Sequence, residues 1–139
     1  MKTVEIKSCE SRTTLSFAVH NRSADEIRFR AKISGAPFTG EVLASTYFCG
    51  PPTTLFDDMA ASWTGWSGQK SWQAIDGDLS LTATTTSLGN VTLVVEMSTH
   101  SGDYTAKAVL KLEAGSLDRV AAEVRSLFFS DRSSNSVVE

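Results

Sequence analysis

Asp57, Asp58, Asp76 and Asp78 are the densest group of carboxylates in the 139-residue chain. Paired carboxylates can do general acid–base work or hold a divalent cation. Each of these four also has a local structural reason to be where it is. Asp57 and Asp58 fall where a helix should begin, and Asp76 and Asp78 flank Gly77 in a turn sequence. The remaining titratable residues offer less chemistry. His20 falls on the outward phase of a strand and His100 in a polar turn, both positions of solvated histidines. No serine stands in a Gly-x-Ser-x-Gly elbow. Cys9 and Cys49 lack the spacing of a zinc site. The run Gly65-Trp66-Ser67-Gly68-Gln69-Lys70-Ser71 is too short for a phosphate loop and follows a helix rather than a strand. No catalytic residue, metal or cofactor is therefore expected.

Binding is the better-supported chemistry. All three tryptophans, Trp63, Trp66 and Trp72, lie within ten residues of one another. Trp63 continues the apolar face of a helix and is expected in the core. Trp66 and Trp72 lie in or beside a Gly/Ser loop, where a large aromatic either caps the core or anchors a partner. The candidate partner surface is thus Trp66 and Trp72 with Asp57, Asp58, Asp76 and Asp78 as a polar rim. The same residues define the alternative, a cleft for a small ligand or an enzyme near Trp66, Trp72, Asp76 and Asp78.

Charge distribution agrees with a binding role. The chain carries a net −3 with an isoelectric point near 5.4, so the overall field does not favour nucleic acid. Residues 1–35 hold seven lysines and arginines against four acids, whereas residues 36–104 hold one lysine against seven acids. An acidic region is expected near the first helix. The face of Arg28, Arg30 and Lys32 lacks interleaved aromatics and reads as a solvated strand face.

The elements that position these residues follow from periodicity. Thr3 to Lys7, Thr14 to His20, Ile27 to Ile33 and Thr39 to Phe48 alternate apolar and polar residues, as half-buried strands do. Gly50-Pro51-Pro52 stops the fourth strand. Thr54 and Asp57 read as a capping box for a helix through Leu55, Met59 and Trp63, which Gly65 ends. Residues 66 to 72 read as a crossing loop. Strands through Leu79, Leu81 and Ala83 and through Val91, Leu93, Val95 and Met97 read as a hairpin around Gly89-Asn90. A strand from Tyr104 to Leu112 follows, and then a helix capped by Ser116 with the stripe Leu117, Val120, Ala121, Val124, Leu127 and Phe128.

This order, ββββ-α-βββ-α, predicts an α+β domain. Its antiparallel sheet has about seven strands, with both helices on one face. A β-sandwich with two flanking helices is the alternative. One domain spans residues 1–129, with a polar tail at 130–139. Trp63, Leu81, Leu93, Val120 and Val124 are expected in one cluster. Cys9 and Cys49 should be unpaired, at opposite ends of the sheet. The N-terminus alternates charge with apolar residues, unlike a signal peptide, and no stretch approaches membrane-spanning length. These features make the cytoplasm the expected compartment, with no membrane partner.

Two resemblances add to this reading. The run from Leu55 through Trp63-Thr64-Gly65-Trp66 and Trp72 to Gly77-Asp78-Leu79-Ser80-Leu81-Thr82-Ala83-Thr84, then Leu88-Gly89-Asn90-Val91, resembles an uncharacterised domain-of-unknown-function family common in actinobacteria. The closing stretch Leu112 to Arg125 resembles that family's last helix. The resemblance brings no catalytic residues with it. In layout the chain is also similar to WapI-type immunity proteins, cytoplasmic antidotes to polymorphic toxins. That likeness implies a non-enzymatic module with a basic toxin as its partner.

Overall fold

The alternation that marks the strands also determines which side chains enter the core. In a computed structural model of the chain, residues 2–35, 38–86, 89–99 and 101–129 are described. His100 and the polar tail from residue 130 lie outside them. The order is β1 (Thr3–Lys7), β2 (Thr14–Arg22), β3 (Ile27–Ser34), β4 (Thr39–Ser45), α1 (Thr53–Ala61), β5 (Lys70–Gln73), β6 (Leu79–Thr85), β7 (Asn90–Ser98), β8 (Thr105–Glu113) and α2 (Leu117–Phe129). A single 3₁₀ turn, Ala114–Ser116, joins β8 to α2.

The strands form two four-stranded antiparallel meanders, β1-β2-β3-β4 and β5-β6-β7-β8. The single seven-stranded sheet is therefore corrected, while the α+β class stands. Hairpin signals state that consecutive strands pair, but they do not carry across a helix. The chain between β4 and β5 passes through α1, and the two halves pair only within themselves. The eighth strand is β5, within the stretch read as a loop; its four residues include one apolar side chain, too few to show alternation.

β8 runs across the ends of the first sheet. The Cys9 N–H donates to the Lys111 carbonyl at 2.8 Å, and the Lys111 N–H donates to Ser8 Oγ at 3.0 Å. At the other side of the sheet, Gly40 in β4 approaches β8 so closely that a Cβ there would sit 3.2 Å from Ala106 Cβ. Glycine and alanine at this junction let the two sheets approach closely, with the Ala106 methyl against the Gly40 backbone.

Between sheets and helices lies a chain of aromatic rings. Phe17 and Phe29 of the first sheet pack edge-on at 5.6 Å. Phe56 of α1 meets Phe17 at 6.2 Å, and Phe128 of α2 meets Phe29 at 5.0 Å. Trp72 of the second sheet joins Phe29 at 6.1 Å. Leu81, Leu93, Val120 and Val124 belong to the same buried cluster, as periodicity predicts. Trp63 does not: it is 60% exposed. Helix α1 ends at Ala61, and Ser62 already leaves helical geometry at φ −108°, ψ 34°, so the i+4 spacing from Met59 fails at its last step.

The start of α1 also differs from expectation. The helix begins at Thr53 after Pro52, no side chain caps it, and its first turn holds no acid. Asp57 is thus the fifth helical residue, two positions past the third, where a capping box needs its acid. The α2 stripe is buried as expected, with Asp118 in the first turn. Ser116 ends the 3₁₀ turn, its hydroxyl donating to the Glu113 carbonyl at 2.8 Å. The β6–β7 connection is longer than a two-residue hairpin, since β6 ends at Thr85 and Gly89 closes the loop at φ +81°.

A β-bulge changes the phase of β2. Val19 pairs with Phe29 and Asn21 with Arg28, leaving His20 unopposed. Beyond it, Arg22 lies opposite Ile27 on the core-facing side rather than on the outer face. Its guanidinium reaches the C-terminus of α2, donating to the Leu127 and Phe128 carbonyls at 2.8 and 2.9 Å. A cation at this end of a helix satisfies free carbonyls and suits the dipole.

Candidate functional site

The residues singled out in the sequence separate into three places. The first is the core. Trp72 is 6% exposed, and its Nε1 donates to the Gly50 carbonyl at 3.1 Å. It covers the aromatic cluster from the second sheet, so capping, rather than presentation to a partner, describes it. The Gly50 carbonyl is available because the preceding turn is tight. Phe48 has φ +68°, and the Cys49 N–H donates to the Tyr47 carbonyl at 2.7 Å, a γ-turn.

The second place is the C-terminal end of α1. Trp66 is half-buried against the core, and the Lys70 ammonium sits 5.2 Å from the centroid of its ring. Lys70 also pairs with Asp58 at 3.0 Å. Asp57 pairs with Arg125 of α2 at 2.7 Å. That hydrogen bond, and next the charge attraction, raise the Arg125 guanidinium above its ordinary value. The two helix carboxylates are therefore tied to cations from β5 and α2, and the acidity expected near α1 is partly neutralised. Trp63 stands exposed immediately before these residues.

The third place is the turn between β5 and β6. Ala74 to Gly77 closes through the Gly77 N–H donating to the Ala74 carbonyl at 2.9 Å, with Gly77 at φ +77°. Asp76 is exposed and Asp78 half-buried there. β5 separates this turn from Asp58: Lys70 at its start touches Asp58, and Gln73 at its end leads into the turn. At roughly 3.3 Å per residue, three residue steps give about 10 Å between them. The four carboxylates thus form two pairs rather than one site. Among the described residues, no three of His, Cys, Asp and Glu gather closely enough to hold a metal ion.

One cleft of about 470 Å³ opens over the second sheet beside the β5–β6 turn, lined by Gln73, Gly77, Ser80, Glu96 and Lys107 among others. Another, about 730 Å³, lies between β1 and α2 and is lined by Lys2, Glu5, Lys7, Arg119, Glu123 and Ser126 among others. A smaller one, about 350 Å³, lies where the starts of β4 and β8 meet, beside Phe38 and Lys107.

Cys9 and Cys49 are both exposed and free. The register explains why they stay apart: Lys7 pairs with Thr14 at one end of the first sheet, whereas Ser45 pairs with Arg28 at the other. No described helix is long and apolar enough to cross a membrane.

Sequence reasoning missed Trp63 as the exposed tryptophan and missed Arg22, Lys70 and Arg125 as partners of helix ends and carboxylates. For Trp63 the available signal was the polar break Ser62, Thr64 and Gly65 around it, which makes a poor helical turn.

No curated protein and no solved structure gives a significant match to the chain. One family model does, over residues 6–131, and its description is a family of unknown function. That span takes in every element from β2 to α2, and the chain belongs to this family, DUF6228.

Proposed function

We propose that the chain is a non-enzymatic protein-binding module of the cytoplasm, an antidote that captures a basic toxin protein. The observation that carries this reading is Trp63, a large aromatic 60% exposed at the end of a short helix. Tryptophan exposed beside fixed polar groups is a typical anchor for a protein partner. Trp66 extends the surface, with its Nε1 buried and unpartnered. Asp57 and Asp58 form its polar rim, and Asp76 and Asp78 add acidic charge beyond β5. Trp72 supports this surface from within the core.

Ion pairing supports binding over catalysis. Asp57 and Asp58 are held by Arg125 and Lys70, which suits a rigid rim better than a carboxylate that must exchange protons. The small-ligand alternative draws its support from the clefts. The 730 Å³ one opens away from Trp66, Asp76 and Asp78. The 470 Å³ one reaches Gly77 between the two aspartates but has none of Trp66, Trp72, Asp76 and Asp78 in its lining.

The test is co-expression with the product of the adjacent open reading frame. Restored growth with the parent chain, and lost protection with a folded Trp63→Ala, Trp66→Ala variant, supports the antidote. Equal protection by both chains, or none by either, overturns it.

A further inference from the structure

We propose that the free edge of β4 pairs with the same edge of a second copy of this chain, joining two first sheets into one eight-stranded sheet. β4 is the last strand of its sheet. The phase of its ladder follows from one bond: the Thr46 N–H donates to the Ile27 carbonyl at 3.0 Å. Antiparallel pairs alternate between hydrogen-bonded and non-hydrogen-bonded. Ala44, Val42 and Gly40, opposite Phe29, Ala31 and Ile33, are therefore the residues bonded to β3. The N–H and C=O groups of Thr39, Glu41, Leu43 and Ser45 point outward.

This edge carries few of the devices that keep edges single, and the β7–β8 turn, through Thr99 and Tyr104, borders a cleft along its Thr39–Val42 half rather than pairing with it. The strand contains no lysine, arginine or proline, and its one charged side chain, Glu41, is paired with Arg30 at 3.4 Å. Leu43 is 37% exposed on the strand, and Phe38 is 81% exposed immediately before it. By contrast, the outward side chains of β1 are Thr3, Glu5 and Lys7, with the last two paired at 4.0 Å, and Lys2, Arg119 and Glu123 stand beside that edge.

The second copy is the occupant because the strand complements itself. Aligned antiparallel over its full length, β4 sets Thr39 against Ser45, Gly40 against Ala44, and Glu41 against Leu43 of the other copy. Val42 meets Val42 at the two-fold axis. In this register the outward groups fall into hydrogen-bonded pairs, about eight backbone bonds in all. No like charges face each other, hydroxyls face hydroxyls, and a β-branched pair occupies the closely spaced central position. The same alignment of β1 would set Glu5 against Glu5.

Sedimentation velocity of the full chain over a range of concentrations tests the pairing. The parent should shift from the single-chain mass of 15.0 kDa to twice that value as concentration rises. Leu43→Pro removes an N–H that serves only the second copy, at an edge position where proline is tolerated. It should stay at the single-chain mass with an unchanged circular dichroism spectrum. If that variant fails to fold, Val42→Cys in a Cys9→Ser, Cys49→Ser background carries the decision. It should cross-link to a covalent dimer on oxidation, whereas the background chain should not. A parent that stays single at all concentrations overturns the proposal and leaves the edge to a strand of another protein. A folded Leu43→Pro variant that dimerises like the parent, or a Val42→Cys chain that does not cross-link, overturns it as well.

Discussion

The Trp72 indole donates to the carbonyl oxygen of Gly50 at 3.1 Å, tying β5 to the turn that leads into α1. Through this bond, the sheet after the helix holds the loop before it. Trp63, nine residues earlier in the chain, has no comparable burial. The two tryptophans should therefore respond to truncation in opposite ways. Trp72→Ala should cost roughly 3–5 kcal/mol, the loss of a core aromatic. Trp63→Ala should stay within about 0.5 kcal/mol of the parent, as surface substitutions do. Urea denaturation of both variants checks this, and similar midpoints would contradict it.

The bulge at His20 makes a second prediction. His20→Ala should leave stability nearly unchanged, because the side chain is exposed and opposes nothing. Deleting His20 should be tolerated as well, since it removes only the unopposed residue and leaves Asn21 opposite Arg28 and Arg22 opposite Ile27 with the same phase at the strand end. Thermal melts of the two variants, followed by circular dichroism, check this. A melting temperature that falls far more on deletion than on truncation would show that the bulge itself is required.

Arg22 can be tested directly. Its two terminal nitrogens reach two carbonyls, a fork geometry that a lysine ammonium does not reproduce. Arg22→Lys should destabilise by roughly 1–3 kcal/mol, the range for hydrogen bonds to a charged group. Amide exchange should quicken first in the last turn of α2. Unchanged protection there would sink the idea.

Both thiols should react in the native chain. Cys9 and Cys49 are exposed and unpaired, so a disulfide-exchange reagent should titrate both without denaturant. A titration that finds only one would place the other out of contact with solvent.

Much of this architecture was legible in the residues. Leu15 and Phe17, Ile33 and Phe29, and Leu81 and Leu93 point inward as their alternation demands, and the α2 stripe is buried along its length. Periodicity reports which face of an element is apolar. It does not report which sheet a strand joins, so one sheet and two sheets look alike until the break at α1 is seen in space. Nor does it mark where a helix stops, which is why Trp63 was extrapolated inward from Met59. The candidate site was less legible still. Asp76 and Asp78 do flank the turn at Gly77, whereas Asp57 and Asp58 miss the helix start expected of them, since the first turn of α1 holds no acid. Their cations come from β5 and α2, 12 residues from Asp58 and 68 from Asp57 along the chain. Such pairings depend on tertiary placement that no local pattern encodes.

Binding of the adjacent gene's product by titration calorimetry tests the protein-capture reading most directly. The parent should bind, with affinity falling as salt rises, because an acidic surface meets a basic partner. Trp63→Ala should weaken binding by about 30-fold or more, as expected for an anchor worth at least about 2 kcal/mol. Replacing Asp76 and Asp78 together with asparagine should flatten the salt dependence. Variants that fold and bind as tightly as the parent, with the same salt dependence, would contradict the assignment of this surface as the interface.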